Sequence, residues 1–198
     1  MVKLITIHGV GRQERDYAGP LFANLRRLGR QFDAVPLLWD DLDISKRWWI
    51  PLPAEVMLDL WLSVSWVFRA RRRRILSRIQ NAVGDGKNVI VVSHSHGVWF
   101  ALQALRDGPR IPLLVTMGRD SHRLGGRLFP GHHAVQCTTW LNIHSSLDPL
   151  SGEIPAEHLE GAGVGSVRNI KLPLLHTRYW SSTLVASAIS LFFPAEEV

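Results

Sequence analysis

Short apolar runs rich in β-branched residues alternate along the chain with longer stretches whose apolar positions recur every three or four residues. Lys3 to Ile7 predicts a strand, broken by His8-Gly9-Val10-Gly11. Leu21, Leu25 and Leu28 fall at helical spacing within residues 21–30. Ala34 to Trp39 predicts a second strand, stopped by Asp40-Asp41. After Pro51 and Pro53 a helical pattern runs from about Ala54 to Val83, and Gly84-Asp85-Gly86 ends it. The run from Asn88 to Val92 has the continuous apolar character of a strand buried on both faces of a parallel sheet. A helix comes next through Val98, Ala101, Leu102 and Leu105, closed by Gly108-Pro109. Further strands are predicted over Pro112–Met117, Thr138–Ile143 and Val167–Leu172, and a closing helix over Ser181–Phe193. The stretch from Asp120 to His133, rich in Gly, Arg and His, reads as a loop.

Strand and helix in alternation imply right-handed crossovers, hence an α/β fold. The expected architecture is a mostly parallel sheet of about six strands with helices on both faces. A chain of 198 residues fits one domain, 1–198, with 40–83 as a Trp- and Arg-rich helical insertion or lid. At 46% hydrophobic residues it can bury a core without staples, which excludes a wholly disordered chain. Its single cysteine, Cys137, has no partner for an intramolecular disulfide. With no secretory leader visible after Met1, the expected compartment is reducing and cytoplasmic. Charge changes the picture in one place. Of a net +6, Arg69, Arg71, Arg72, Arg73, Arg74 and Arg78 lie within ten positions. The apolar stretch before them holds Trp61 and Trp66, but only nine uncharged residues separate Asp59 from Arg69. About 20 are needed to cross a bilayer.

In a parallel sheet of this kind functional groups gather outside the carboxyl ends of the strands. The buried strand Asn88 to Val92 runs into Ser93-His94-Ser95-His96-Gly97, and a helix begins at once. A serine at the tip of such a turn presents its hydroxyl at the positive end of the helix, and small residues two before and two after let the backbones approach. As a pattern Ser-x-Gly is weak. Its placement between the best strand and a convincing helix carries it, against the alternative that Ser95 merely caps the helix. Serine needs a base, and the base an orienting carboxylate. Asp148, before Pro149, comes after the strand ending at Ile143, and His176 comes after the last strand. Asp120 is the rival acid, and His144 and His158 are rival bases. The negative oxygen of acyl transfer needs preorganised donors. The backbone N–H of His96 and that of Val10 are the candidates, with Gly9 and Gly11 leaving room for substrate. A phosphate loop is not the expected reading, because the glycines are not succeeded by Gly-Lys-Ser/Thr.

These motifs together resemble the α/β-hydrolase superfamily, and especially its lipase-like serine esterases. His8-Gly9 stands after an early strand, Ser93 to Gly97 forms the nucleophile elbow, Asp148-Pro149 stands after a late strand, and His176 is succeeded by Tyr179. The resemblance spans about Lys3 to Trp180. It implies a catalytic triad of Ser95, Asp148 and His176, an oxyanion hole from Val10 and His96, and ester or thioester hydrolysis with no metal or cofactor. Two departures stand out. Ser93 replaces the first glycine of the elbow, and the strand carrying His8 comes first, so a minimal version of the fold is expected, its sheet edge exposed or covered by another chain.

The insertion holds Trp39, Trp48, Trp49, Trp61 and Trp66. These could wall an acyl pocket, form a lid, or simply pack a helix onto the sheet. The expected substrate is a small-molecule or lipid ester with an apolar acyl group. Trp61, Trp66 and Arg69 to Arg74 would make peripheral contact with a membrane, while nucleic acid is not the expected partner. His122, His132 and His133 lack regular ligand spacing and suggest no metal site. Two alternatives share the residues: an acyltransferase or thioesterase using the same triad, and a non-catalytic basic protein binding membranes or nucleic acid.

Overall fold

The computed structural model describes residues 1–9, 16–38, 69–118, 135–155 and 163–194. Among the described residues six strands form one sheet: β1 (Val2–Ile7), β2 (Phe32–Leu37), β3 (Val89–His94), β4 (Ile111–Met117), β5 (Cys137–His144) and β6 (Val164–Lys171). Their order is β2-β1-β3-β4-β5-β6, and every neighbouring pair is parallel. Four α-helices accompany them among the described residues: α1 (Gly19–Arg27), α2 (Arg69–Val83), α3 (His96–Leu105) and α4 (Thr183–Ser190).

Strand periodicity decides which helix covers which face. In β1, Leu4 points to the layer holding Leu21 and Leu25 of α1 and Val185 and Ile189 of α4. Ile5 and Ile7 point to the opposite layer, with Ile75 and Ile79 of α2 and Leu102 and Leu105 of α3. β3 divides in the same way, with Ile90 and Val92 on one face and Val89 and Val91 on the other. All six of its residues are buried, which is why its sequence shows an apolar run and not an alternation. The edge strand β6 is mostly exposed or half-buried and reads as more polar.

Local signals explain the helix ends. In α1 a proline occupies the first turn, where a missing N–H costs nothing, and Gly29 lies just past the helix at φ +77°. α2 ends at Gly84, φ +62°. Ser182 caps α4, its hydroxyl accepting from the Val185 N–H.

The arginine run forms the first half of α2. Ile75, Ile79 and Val83, four residues apart, bury one face, and the arginines divide around it. Arg69, Arg73 and Arg74 are exposed. Arg72 turns inward: its guanidinium lies 4.9 Å from the Trp99 ring centroid and donates to Gln103 Oε1 at 3.1 Å. Arg78 donates to the Leu38 carbonyl at 3.0 Å. The run therefore includes packing residues that tie α2 to α3 and to the end of β2, and not only a solvated face. The five tryptophans of the insertion lie outside the described residues. Among the described residues no helix is long and apolar enough to cross a membrane.

β1 leads through α1 to β2 on one side, while β3 leads through α3 to β4 on the other. The strand order thus reverses between β1 and β3, the place beyond whose carboxyl strand ends open parallel sheets bind their ligands.

Candidate active site

β3 runs two residues beyond the predicted Val92, to His94. Ser95 then takes φ +53° and ψ −129°, a strained conformation for a residue with a side chain. It lifts the chain straight from strand to helix. Although Ser95 stands at the N-cap of α3, its side chain makes no capping hydrogen bond. The hydroxyl faces the other way. Ser95 Oγ lies 3.0 Å from His176 Nε2, and His176 Nδ1 lies 2.9 Å from Asp148 Oδ2. Three side chains carried just beyond β3, β5 and β6 thus form one hydrogen-bonded chain. Because the carboxylate can only accept, Nδ1 carries the proton, and Nε2 is left to accept from the serine hydroxyl.

Asp148 is 1% exposed and fully engaged. Besides His176, its Oδ2 accepts from the Tyr179 hydroxyl at 3.2 Å, and its Oδ1 accepts from the Leu150 N–H at 3.0 Å. Burial pushes the Tyr179 phenol well above its ordinary value, so it remains a donor throughout the working pH range. The loops carrying Asp148 and His176 are tied by Ser145, whose hydroxyl accepts from both Leu147 N–H and Leu174 N–H at 3.0 Å.

Close backbone approaches dictate the glycines. A Cβ on Gly97 would press into the His8 carbonyl oxygen and stand 2.8 Å from the Ile7 carbonyl. A Cβ on Gly9 would lie 2.8 Å from Ser95 Cβ and 3.2 Å from its Oγ. Ser93 is tolerated in place of the usual elbow glycine because its hydroxyl donates to the Val115 carbonyl at 3.1 Å across the sheet. Gly97→Ala should therefore drive backbone against backbone. A loss of about 1–3 kcal/mol is expected from overpacking, read as a lower midpoint in urea denaturation together with loss of activity. An unchanged midpoint would contradict the packing account.

His96 is the first residue of α3, so its N–H points out of the helix N-terminus. Its ring is buried against Trp99 and Phe100, at centroid distances of 5.6 and 5.1 Å. His8 is buried, with Nδ1 2.7 Å from the Gly9 carbonyl oxygen. The rival base His144 is buried elsewhere, its Nε2 3.7 Å from Glu153 Oε1. Val10, Gly11, Asp120, His122, His132, His133 and His158 lie outside the described residues. Among the described residues no group of His, Cys, Asp and Glu could hold a metal ion.

Sequence reasoning gives no role to His94, Gly118 or Ser145. Gly118, φ +62° at the end of β4, is hemmed in by Tyr179, His94 and Asp148. A Cβ there would sit 2.9 Å from Tyr179 Cε2, 3.0 Å from His94 Nε2 and 3.1 Å from Asp148 Oδ2. Its position directly after a strand is the only signal the sequence offers.

His94 is 8% exposed and its Nε2 lies 2.9 Å from the His176 carbonyl oxygen. Burial, and after it the neighbouring His176, pushes its pKa down to about 3. The unfolded chain takes up this proton near pH 6.5, while the native state resists down to about pH 3. More protons bind to the unfolded state across that window, so stability falls with acidification there. His144, lowered chiefly by burial, acts in the same direction. Denaturation midpoints measured from pH 7 to pH 4 should fall less steeply in His94→Gln than in the parent chain. Parallel slopes would contradict this.

No family model matches the sequence, and no curated protein is significantly similar to it. Solved structures do match. The thioesterase RedJ from the prodiginine biosynthetic pathway of Streptomyces coelicolor superposes with a TM-score of 0.58 at 11% identity, over 96% of this chain and 85% of that one. An extracellular α/β-hydrolase from a Paenibacillus species superposes at 0.54 and 11% identity, over 98% of this chain and 100% of its own. The chain has the α/β-hydrolase fold. A cold-adapted esterase from an Arctic intertidal metagenomic library is also similar, with a TM-score of 0.51 and 14% identity over 98% of this chain and 83% of that one. The parallel course of the described strands accounts for the site's location, because it delivers the loops carrying Ser95, Asp148 and His176 to one rim.

Proposed function

We propose that this α/β-hydrolase-fold protein is a serine hydrolase that cleaves carboxylic esters of apolar acyl groups. The observation that carries the reading is the continuous chain Ser95 Oγ–His176 Nε2, His176 Nδ1–Asp148 Oδ2, at 3.0 and 2.9 Å, mounted on a strained strand-to-helix turn. Ser95 Oγ attacks the ester carbonyl carbon while His176 Nε2 takes the hydroxyl proton. The tetrahedral intermediate collapses, its bond to the leaving oxygen breaks, and His176 returns the proton to the departing alcohol. Water then attacks the acyl-Ser95 ester with His176 again as base, releasing the carboxylic acid and restoring the serine. Asp148 fixes the imidazole tautomer and stabilises its cationic form. The backbone N–H groups of His96 and Val10 receive the developing oxyanion in this reading.

The apolar preference is supported by Leu147, Leu150 and Leu175, exposed by 55%, 41% and 58% on the two loops that carry Asp148 and His176. They leave apolar surface exposed on residues close in sequence to Asp148 and His176. A series of p-nitrophenyl esters of increasing chain length is expected to show hydrolysis that rises from acetate toward medium chains. No hydrolysis at any length would refute the reading, and a strict preference for acetate would refute its apolar part.

The likeness to a thioesterase favours a second reading, in which the same acyl-enzyme forms from a thioester. Parallel assays on an acyl thioester and its oxygen ester separate the two. Methanol added at a low mole fraction separates hydrolysis from acyl transfer by partition, since a transferase delivers most acyl groups to the alcohol whereas a hydrolase still yields mostly free acid.

A further inference from the structure

We infer that His94 is a positioning residue for the proposed catalytic base, holding His176 in place by donating its Nε2–H to the His176 backbone carbonyl. This inference rests on the serine-hydrolase reading. His176 stands in a single 3-10 turn, His176–Arg178, beyond the end of β6, with no side-chain hydrogen bond capping its start. The His176 ring is 28% exposed, so packing alone does not fix it. The backbone carbonyl can only accept, which assigns the proton of His94 to Nε2. The distance is 2.9 Å across 82 residues of sequence.

The surroundings hold the His94 ring as firmly as it holds the turn. Its centroid lies 4.8 Å from the His176 ring, 5.4 Å from Tyr179 and 5.9 Å from Trp180. Gly118 closes the remaining side, where any Cβ would meet Nε2 at 3.0 Å. The titratable groups facing it are His176, Tyr179 and His8, with Asp148 beyond Gly118. Burial keeps His94 neutral at working pH. That neutrality matters, because a second cation beside His176 would oppose the imidazolium formed in the transition state. The residue before the nucleophile thus reaches sideways to the base, and one strand end fixes two of the three reacting groups. Sub-ångström control of the base is worth this arrangement, since a misplacement of about 1 Å can cost on the order of 100-fold in rate.

The test compares the parent chain with His94→Gln, which keeps an uncharged N–H donor at a similar reach, and His94→Met, which fills the space without a donor. With p-nitrophenyl butyrate, His94→Met is expected to lose about 10–100-fold in kcat with KM nearly unchanged, and His94→Gln to recover most of that loss. Equal activity in all three proteins would overturn the inference, as would equal loss in both variants. Nitrogen-15 NMR of the histidine rings in the parent chain decides independently, even if a variant fails to fold. His94 should appear as the neutral Nε2–H tautomer down to pH 5, whereas an Nδ1–H tautomer or titration near pH 6.5 would overturn the assignment. A parent chain that hydrolyses no ester and takes no fluorophosphonate would instead defeat the serine-hydrolase reading. An active parent with indifferent variants defeats only the role of His94.

Discussion

Ser95→Ala is expected to lower kcat on an activated ester by about 10³–10⁶-fold while leaving the fold unchanged. The separation of the two effects comes from geometry. The Ser95 side chain makes no capping bond to α3, and its hydroxyl instead meets His176 Nε2 at 3.0 Å. Removing it deletes the proposed nucleophile and no capping hydrogen bond of α3. The strain at φ +53° is a backbone property that alanine inherits. Circular dichroism and a melting curve should therefore match the parent while turnover collapses. Retained turnover would remove Ser95 from the mechanism. Collapse of both would show that the hydroxyl is structural.

Asp148→Asn is expected to cost about 10³–10⁴-fold in kcat with little change in KM, because it disturbs the tautomer of the base and not the substrate contacts. In the native site Oδ2 accepts from both His176 Nδ1–H and the Tyr179 hydroxyl. An amide nitrogen at that position would confront two donors. Relief comes if His176 moves its proton to Nε2, which then points at Ser95 and can no longer accept its proton. Leu150 N–H still finds an oxygen at Oδ1, so the loop keeps its turn. A loss below about tenfold would deny Asp148 the orienting role that the triad mechanism requires. The rival Asp120 supplies the control, since Asp120→Asn should leave kcat within severalfold.

The sequence discloses most where one physical cause dominates. β3 is buried on both faces, so its apolar run stands out, and the turn beyond it is legible because the residues after Ser95 fit only a helix. The order of Ser95, Asp148 and His176 can be read because each comes after its own strand in a parallel sheet. Edges are harder. β6 begins three residues before the predicted Val167, since an exposed edge strand needs no apolar alternation. β2 begins at Phe32, two residues before the predicted Ala34, for Asp33 and Pro36 weaken its pattern. The end of β3 escapes notice because Ser93 and His94 are polar, and what makes them bearable inside the sheet comes from elsewhere. Val115 accepts from Ser93 and the His176 carbonyl accepts from His94. No periodicity carries a partner 82 residues away. Ser145 is silent for the same reason, its hydroxyl serving a loop 29 residues on. The arginine run hides a packing role that charge alone does not show, since the Arg72 guanidinium lies over the Trp99 ring.

The most direct measurement is to treat the protein with a fluorophosphonate and locate the adduct by mass spectrometry. One adduct per chain is expected, on the peptide containing Ser95, abolished in Ser95→Ala and strongly slowed in His176→Ala. An adduct on another residue, or none under conditions that label a control serine hydrolase, would contradict it.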